Sequence, residues 1–240
     1  MAFWHRRDKR LKKRGERQRK RAARKEARAA KAASKGNTKR ATRLNARAGQ
    51  LRDKASQNLF WDHVTVEMKR YRATENELVA LREAIEAAKS QARNVEAYLI
   101  ELENMALGDA ITHWNATAAG EAFGADPNRR QLYRMLRRAR LVSGALLRQN
   151  IFITLVDEGK FKGRAMPSVL NRPLSANVRM KVDIGAHGAG GAIDVADLTD
   201  TIVHEIAHTF DAITDHPGDG DVRKALRDPG SYAKFFRLLG

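Results

Sequence analysis

The sequence predicts an α+β protein. A C-terminal domain at residues 128–240, with a small mixed sheet and an amphipathic helix carrying His-Glu-x-x-His, follows a long helical segment at 58–119 and a disordered basic tail at 1–57. Three observations carry this reading. Residues 1–57 hold 22 basic and 4 acidic side chains, the whole formal net charge of +18, while residues 58–240 hold 24 of each. Apolar residues from Leu78 to Ala106 recur at alternating intervals of three and four. Beyond residue 150 the pattern changes to short apolar or alternating runs that suit strands, and the helical period returns around His204.

A chain of 240 residues allows one domain of ordinary size plus an appendage. With no cysteine there is no disulfide framework, thiolate nucleophile or Cys-ligated zinc, so any metal must be held by His and carboxylates. No run approaches the roughly 18 apolar residues of a membrane span, and the Arg/Lys-studded start lacks the apolar core of a secretory signal. The expected setting is intracellular, either cytoplasmic or nucleoid-associated, or the inside of a virus particle. No membrane partner is expected.

From Arg6 to Lys54 the chain is largely Arg, Lys and Ala, a composition with little to bury against the entropy of ordering it. Its cations, from Arg6, Arg7, Lys9, Arg10, Lys12, Lys13 and Arg14 to Arg17, Arg19, Lys20 and Arg21, suit nucleic acid bound through counterion release. After Phe3 and Trp4 no aromatic occurs until Phe60, which points to phosphate contacts rather than base stacking. A solubilising tail, or one that engages acidic protein or lipid surfaces, is the alternative. The acids Asp8, Glu16 and Glu26 argue against a mitochondrial presequence.

In the middle segment, Leu78, Leu81, Ile85, Ala88, Ala92, Val95, Leu99, Leu102 and Ala106 form an a/d stripe suited to a coiled-coil seam or one arm of a helical hairpin. Phe60, Val64, Met68 and Tyr71 keep a similar rhythm, so the helix is expected to start near Asn58 and run for about 45 residues, or about 70 Å. Its partner is either a second copy, making residues 78–106 a homo-oligomer seam, or the segment after Gly108. His63 and His113 have no second ligand nearby in sequence and read as ordinary surface or packing residues.

Gly120 to Pro127 is turn-rich and reads as a boundary, with Asp126 and Pro127 opening a helix over about 128–148. Ile151 to Val156 then reads as a buried strand, Met166 to Leu170 as a short one, and Asn177 to Ile184 as an alternating one. Gly185 to Gly191 lacks the Lys-Ser/Thr of a phosphate-binding loop and reads as a flexible connection.

The chemistry lies in His204-Glu205-Ile206-Ala207-His208. On a helix His204 and His208 fall one turn apart on the same face, able to share one zinc ion, while Glu205 projects about 100° away. There it can take a proton from the water that the metal activates, as metal-assisted peptide hydrolysis requires. Chance gives this pattern about 0.01 times in a chain of this composition. Leu198, Ile202, Ile206, Phe210 and Ile213 lie on the opposite arc, and Asp197, Asp211 and Asp215 lie beside the histidines.

Helix, strands and then this motif with its apolar filler resemble the zincin class of metallopeptidases over residues 128–240. The resemblance implies a zincin-like fold, zinc on His204 and His208, Glu205 as general base, and a third ligand downstream. No Glu follows Glu205, and Asp211 and Thr214 stand where the metzincin pattern has Gly and His, leaving Asp211, Asp215 and His216 as candidates. His216 is favoured because Pro217-Gly218 ends the helix there and lets a turn fold it back. The order of motif, His-bearing loop and further helix resembles SprT-like proteases, a family that acts on DNA-bound proteins, although the usual His-Gly-x-x-Phe/Trp pattern is missing. Ser231 to Phe236 also resembles the terminal helix of phage- and toxin-associated zincins, with Lys234 where a zinc-binding glutamate is usual.

These readings predict a zinc metalloendopeptidase tethered to nucleic acid, with a protein or peptide substrate. The alternative is a non-catalytic, nucleic-acid-associated structural protein, such as a phage virion component, that retains the fold. Deleting residues 1–57 is expected to abolish most salt-sensitive DNA binding. A truncated chain that binds with an equally steep dependence on salt concentration would show that the cations lie elsewhere.

Overall fold

The computed structural model describes residues 2–61, 63–68, 71–159, 162–165, 177–189, 192–210 and 221–240. Small residues at seven-residue intervals decide how the N-terminal segment folds. Gly15, Ala22 and Ala29 run down helix α1 (Ala2–Ala33), and Ala41, Ala48 and Ala55 run down α2 (Thr38–Ala55). All five alanines are buried, and Gly15 lies against the Ala55 carbonyl, so the helices pair as an antiparallel hairpin with an alanine seam. Gly36 takes a positive φ of 75° at the turn, and Asn37 caps α2 by accepting from the Arg40 N–H at 3.1 Å. Arg52 bridges the two helices to Glu26 at 2.8 Å.

The expectation of a disordered tail is therefore corrected. Charge dominates the composition, but the apolar content it does have is placed at heptad spacing. Lys12, Lys13, Arg14, Arg17, Arg19, Lys20 and Arg21 are exposed along α1. Arg6, Arg7, Lys9 and Arg10 belong to its first turns, and their side chains lie outside the described atoms.

The single helix expected from Asn58 onward is also corrected. Residues 58–67 form a hairpin, β1 (Asn58–Trp61) and β2 (Val64–Glu67), in which Val64, Thr65 and Val66 are buried. The β-branched run at 64–66 favours strand over the helical spacing of Phe60, Val64 and Met68. Helix α3 begins at Glu75 and ends at Glu103, its start fixed by a capping box between Thr74 and Glu77.

Short helices α4 (Leu107–Ala116) and α5 (Ala118–Phe123) lead to α6 (Arg129–Arg148). The cap of α6 is Asn128, whose side chain accepts from the Gln131 N–H at 3.0 Å, rather than Asp126. Asp126 instead sits at φ 54° and exchanges hydrogen bonds of 2.7 and 2.8 Å with the Asn115 side chain.

Strands β3 (Asn150–Val156), β4 (Gly163–Ala165) and β5 (Asn177–Asp183) complete a sheet of order β1-β2-β3-β5-β4. Pairs β2/β3 and β3/β5 are parallel, while β1/β2 and β4/β5 are antiparallel. The flexible connection expected at Gly185 to Gly191 is corrected where it is described. A 3₁₀ turn at Ile184–His187 and a ribbon of β6 (Gly188–Ala189) and β7 (Ala192–Ile193) lead to α7 (Val195–Ala207). Helices α8 (Val222–Ala225) and α9 (Pro229–Leu239) close the fold. The strand expected at Met166 to Leu170 lies outside the described residues.

One core joins these parts, from Val64 to Phe236. The stripe on α3 is buried within it from Leu81 to Leu102, because α6, α7 and α9 pack against that helix. The partner of the stripe is thus in the same chain. His63 Nε2 lies 2.9 Å from the Leu146 carbonyl, and His113 stacks obliquely on Tyr98, so both are packing residues. Among the described residues no helix is long and apolar enough to cross a membrane.

Ala88 and Ala92 are fully buried on α3 and set how closely its neighbours approach. Ala88→Leu is expected to lower stability by about 1–3 kcal/mol through overpacking, measured by urea denaturation. Val79→Leu, at an exposed position on the same helix, should leave it nearly unchanged.

Candidate metal centre

Helix α7 carries the motif because its two faces differ. Asp194 caps it, accepting from Ala196 and Asp197 N–H groups at 2.9 and 3.0 Å. Leu198, Ile202, Val203 and Ile206 are buried against α3, α6 and α9. The helix was expected to run to Pro217-Gly218 but ends at Ala207, with His208 as its C-cap, whose N–H donates to the His204 carbonyl at 3.1 Å. His204 and His208 are half-buried, with ring centres 4.8 Å apart and planes at 75°.

Glu205 lies to one side, 6% exposed, beneath the edge strand β4. The Ala165 N–H donates to Glu205 Oε2. Burial pushes the Glu205 carboxyl up to about 7, and the Ala165 hydrogen bond opposes the rise. The strand sits so close that a Cβ on Gly163 would meet Thr201 Cγ2 at 2.6 Å and Glu205 Cγ at 2.7 Å. Only glycine fits there without moving β4 away from the helix.

Lys162, just before β4, holds the strand from the other side. Its Nζ donates to both Asp197 carboxylate oxygens at 2.7 and 2.8 Å, and buried His187 places Nδ1 at 2.7 Å from Asp197 Oδ2. Burial would raise the Asp197 carboxyl, but the hydrogen bonds from Lys162 and His187 outweigh it and hold the group below the usual carboxylate range. Asp197, expected beside the histidines, is thus engaged in anchoring β4. Lys162, Gly163, Ala165 and His187 were not legible as site residues.

Lys162, Gly163, Asp200, Thr201, His204, Glu205, Lys234 and Arg237 border one open cleft of about 380 Å³. Helix α9 packs on α7 and brings Lys234 to this cleft. The Lys234 ammonium donates to the Glu121 carbonyl at 2.9 Å and lies 3.5 Å from Glu121 Oε1, while Arg237 pairs with Asp200 at 2.6 Å. An ammonium has no lone pair to give a metal, so Lys234 is not a ligand in this state.

Two imidazoles on successive turns, beside a buried carboxylate, are a donor set that suits zinc. Among the described residues no group of three His, Asp or Glu converges. Asp211, Asp215 and His216, the candidate third ligands, lie outside the described residues. No family model matches the chain. A search of curated proteins finds no match either.

Gly163→Ala is expected to lower stability by about 1–3 kcal/mol through this clash. Adding Thr201→Ser, which removes the opposing methyl, should recover part of the loss. Additive effects in that double-mutant cycle would place the strain elsewhere.

Proposed function

We propose that this protein is a zincin-like zinc metalloendopeptidase, held on nucleic acid by its basic arm. The observation that carries the reading is Glu205: a buried carboxylate next to a half-buried imidazole pair, covered by the edge strand β4 and bordering an open cleft. His204 and His208 would hold the ion, with a third ligand from Asp211, Asp215 or His216. When bound, zinc supplies a Lewis acid to the peptide carbonyl and makes water a stronger nucleophile. Glu205 takes the proton from the attacking water and passes it to the departing amine. A peptide would enter the open cleft bordered by Lys162, Gly163, Thr201, His204 and Glu205. The hairpin's exposed cations neutralise phosphates and supply the tether.

Lys234 favours the second reading, a structural protein that keeps the fold without the activity. It occupies the place where the resemblance to phage- and toxin-associated zincins implies a glutamate ligand, and it brings a positive charge to the cleft.

The test begins with zinc per chain, measured by elemental analysis of protein purified without chelator. About one zinc in the parent and none in His208→Ala is expected, with Glu205→Gln keeping the metal and losing peptide hydrolysis by at least about a hundredfold. Lys234→Glu separates the readings. It leaves zinc content unchanged where residues 211–216 complete the site, and raises it from near zero where they do not.

A further inference from the structure

We propose that the cavity where the basic hairpin meets the sheet edge holds one nucleotide unit of a single-stranded segment or strand end. Its phosphate would lie on Lys12, Arg14, Arg19 and Lys54 and its base on the ring of Phe60. This inference rests on the reading of the arm as a nucleic-acid tether and names the form of nucleic acid it takes.

The cavity has a volume of about 460 Å³, within the usual range for a small ligand. Its wall carries those four cations against one acid, Glu16. Lys12, Glu16 and Arg19 share one face of α1 by their spacing of four and three, Lys54 comes from the last turn of α2, and Phe60 comes from β1. Helix α1 on one side and the α2–β1 junction on the other thus place an aromatic ring within a cationic cluster.

Phe60 is half-buried, and Lys12 Nζ stands 5.1 Å from its ring centre. Charge for the phosphate and a π surface for the base serve the two halves of a nucleotide, and a base that stacks on Phe60 displaces the Lys12 ammonium toward the phosphate. Gln18 and Gln57 line the same cavity and add amide donors and acceptors for a base edge. A duplex keeps its bases stacked inside and could use the cations but not the ring. An acidic peptide would likewise satisfy the charges and leave Phe60 unused. The scarcity of aromatics in residues 5–59 therefore does not limit the arm to phosphate contacts, because the fold brings Phe60 to it.

The experiment measures fluorescence anisotropy of the full chain with a short single-stranded oligothymidylate and with a duplex of equal length. Phe60→Ala is expected to weaken single-strand binding about tenfold and duplex binding by less than about twofold. Phe60→Leu keeps apolar bulk on β1 without a π face and should behave as Phe60→Ala does. Arg19→Gln with Lys54→Gln should lower the single-strand salt slope by about 1.4.

Equal losses on both nucleic acids, an unchanged single-strand affinity, or full binding by Phe60→Leu would overturn the proposal. Displacement of the oligothymidylate by polyglutamate at matched charge, or by thymidine monophosphate at matched concentration, would overturn the strand as ligand. A parent chain that binds neither nucleic acid in a salt-dependent way would overturn the arm reading together with this one. A parent that binds both, with Phe60 variants unaltered, overturns the cavity alone.

Discussion

The contact of β4 with α7 at Gly163 is the constraint on which the rest of the candidate centre depends. A backbone strand lies directly on a helix side chain, which is possible only because one residue lacks a Cβ. That closeness buries Glu205, gives it the Ala165 N–H, and leaves the imidazole pair on an adjoining, more open surface. The Lys162–Asp197–His187 group holds the strand in this position from its start. The core beneath supports the same geometry from below. Ala84, Ala88 and Ala92 keep α3 slender where α6, α7 and α9 meet it.

How much of this was legible depended on whether the information was local. The helix expected over about 128–148, the apolar strand at 151–156 and the alternating strand at 177–184 followed from period alone, whereas the helix cap fell on Asn128 and not on Asp126. The amphipathic helix with His204 and His208 on one face did too, because a motif on a single helix needs no tertiary knowledge. The helix expected through Phe60 and Val64 failed where two periods overlapped, and the β-branched residues at 64–66 decided for strand. The partner of the α3 stripe was not legible, since a helix packed in its own chain and one packed in a dimer show the same spacing.

The centre itself divides in the same way. Its candidate groups, His204, Glu205 and His208, come from one turn at the end of one helix and were visible at once. The parts that position them come from β4, from the 3₁₀ turn holding His187 and from α9, segments joined only by folding. A glycine that must touch Glu205 looks like any other glycine in a sequence. In the arm, lysine and arginine hid a seven-residue repeat of Gly15, Ala22 and Ala29 against Ala41, Ala48 and Ala55.

The separation of charge has a colloidal consequence. The arm carries the entire excess that gives the chain a pI of about 10.6, whereas residues 58–240 carry equal numbers of acidic and basic groups. Mutual repulsion between copies therefore comes from the arms, since the bodies contribute almost none of it. Under the proposed binding of nucleic acid, a polyanion that neutralised the arms would remove that repulsion just as the copies gathered along it. The bodies would then be crowded together, and the local concentration of the His204–Glu205–His208 surface would rise wherever the arm was occupied.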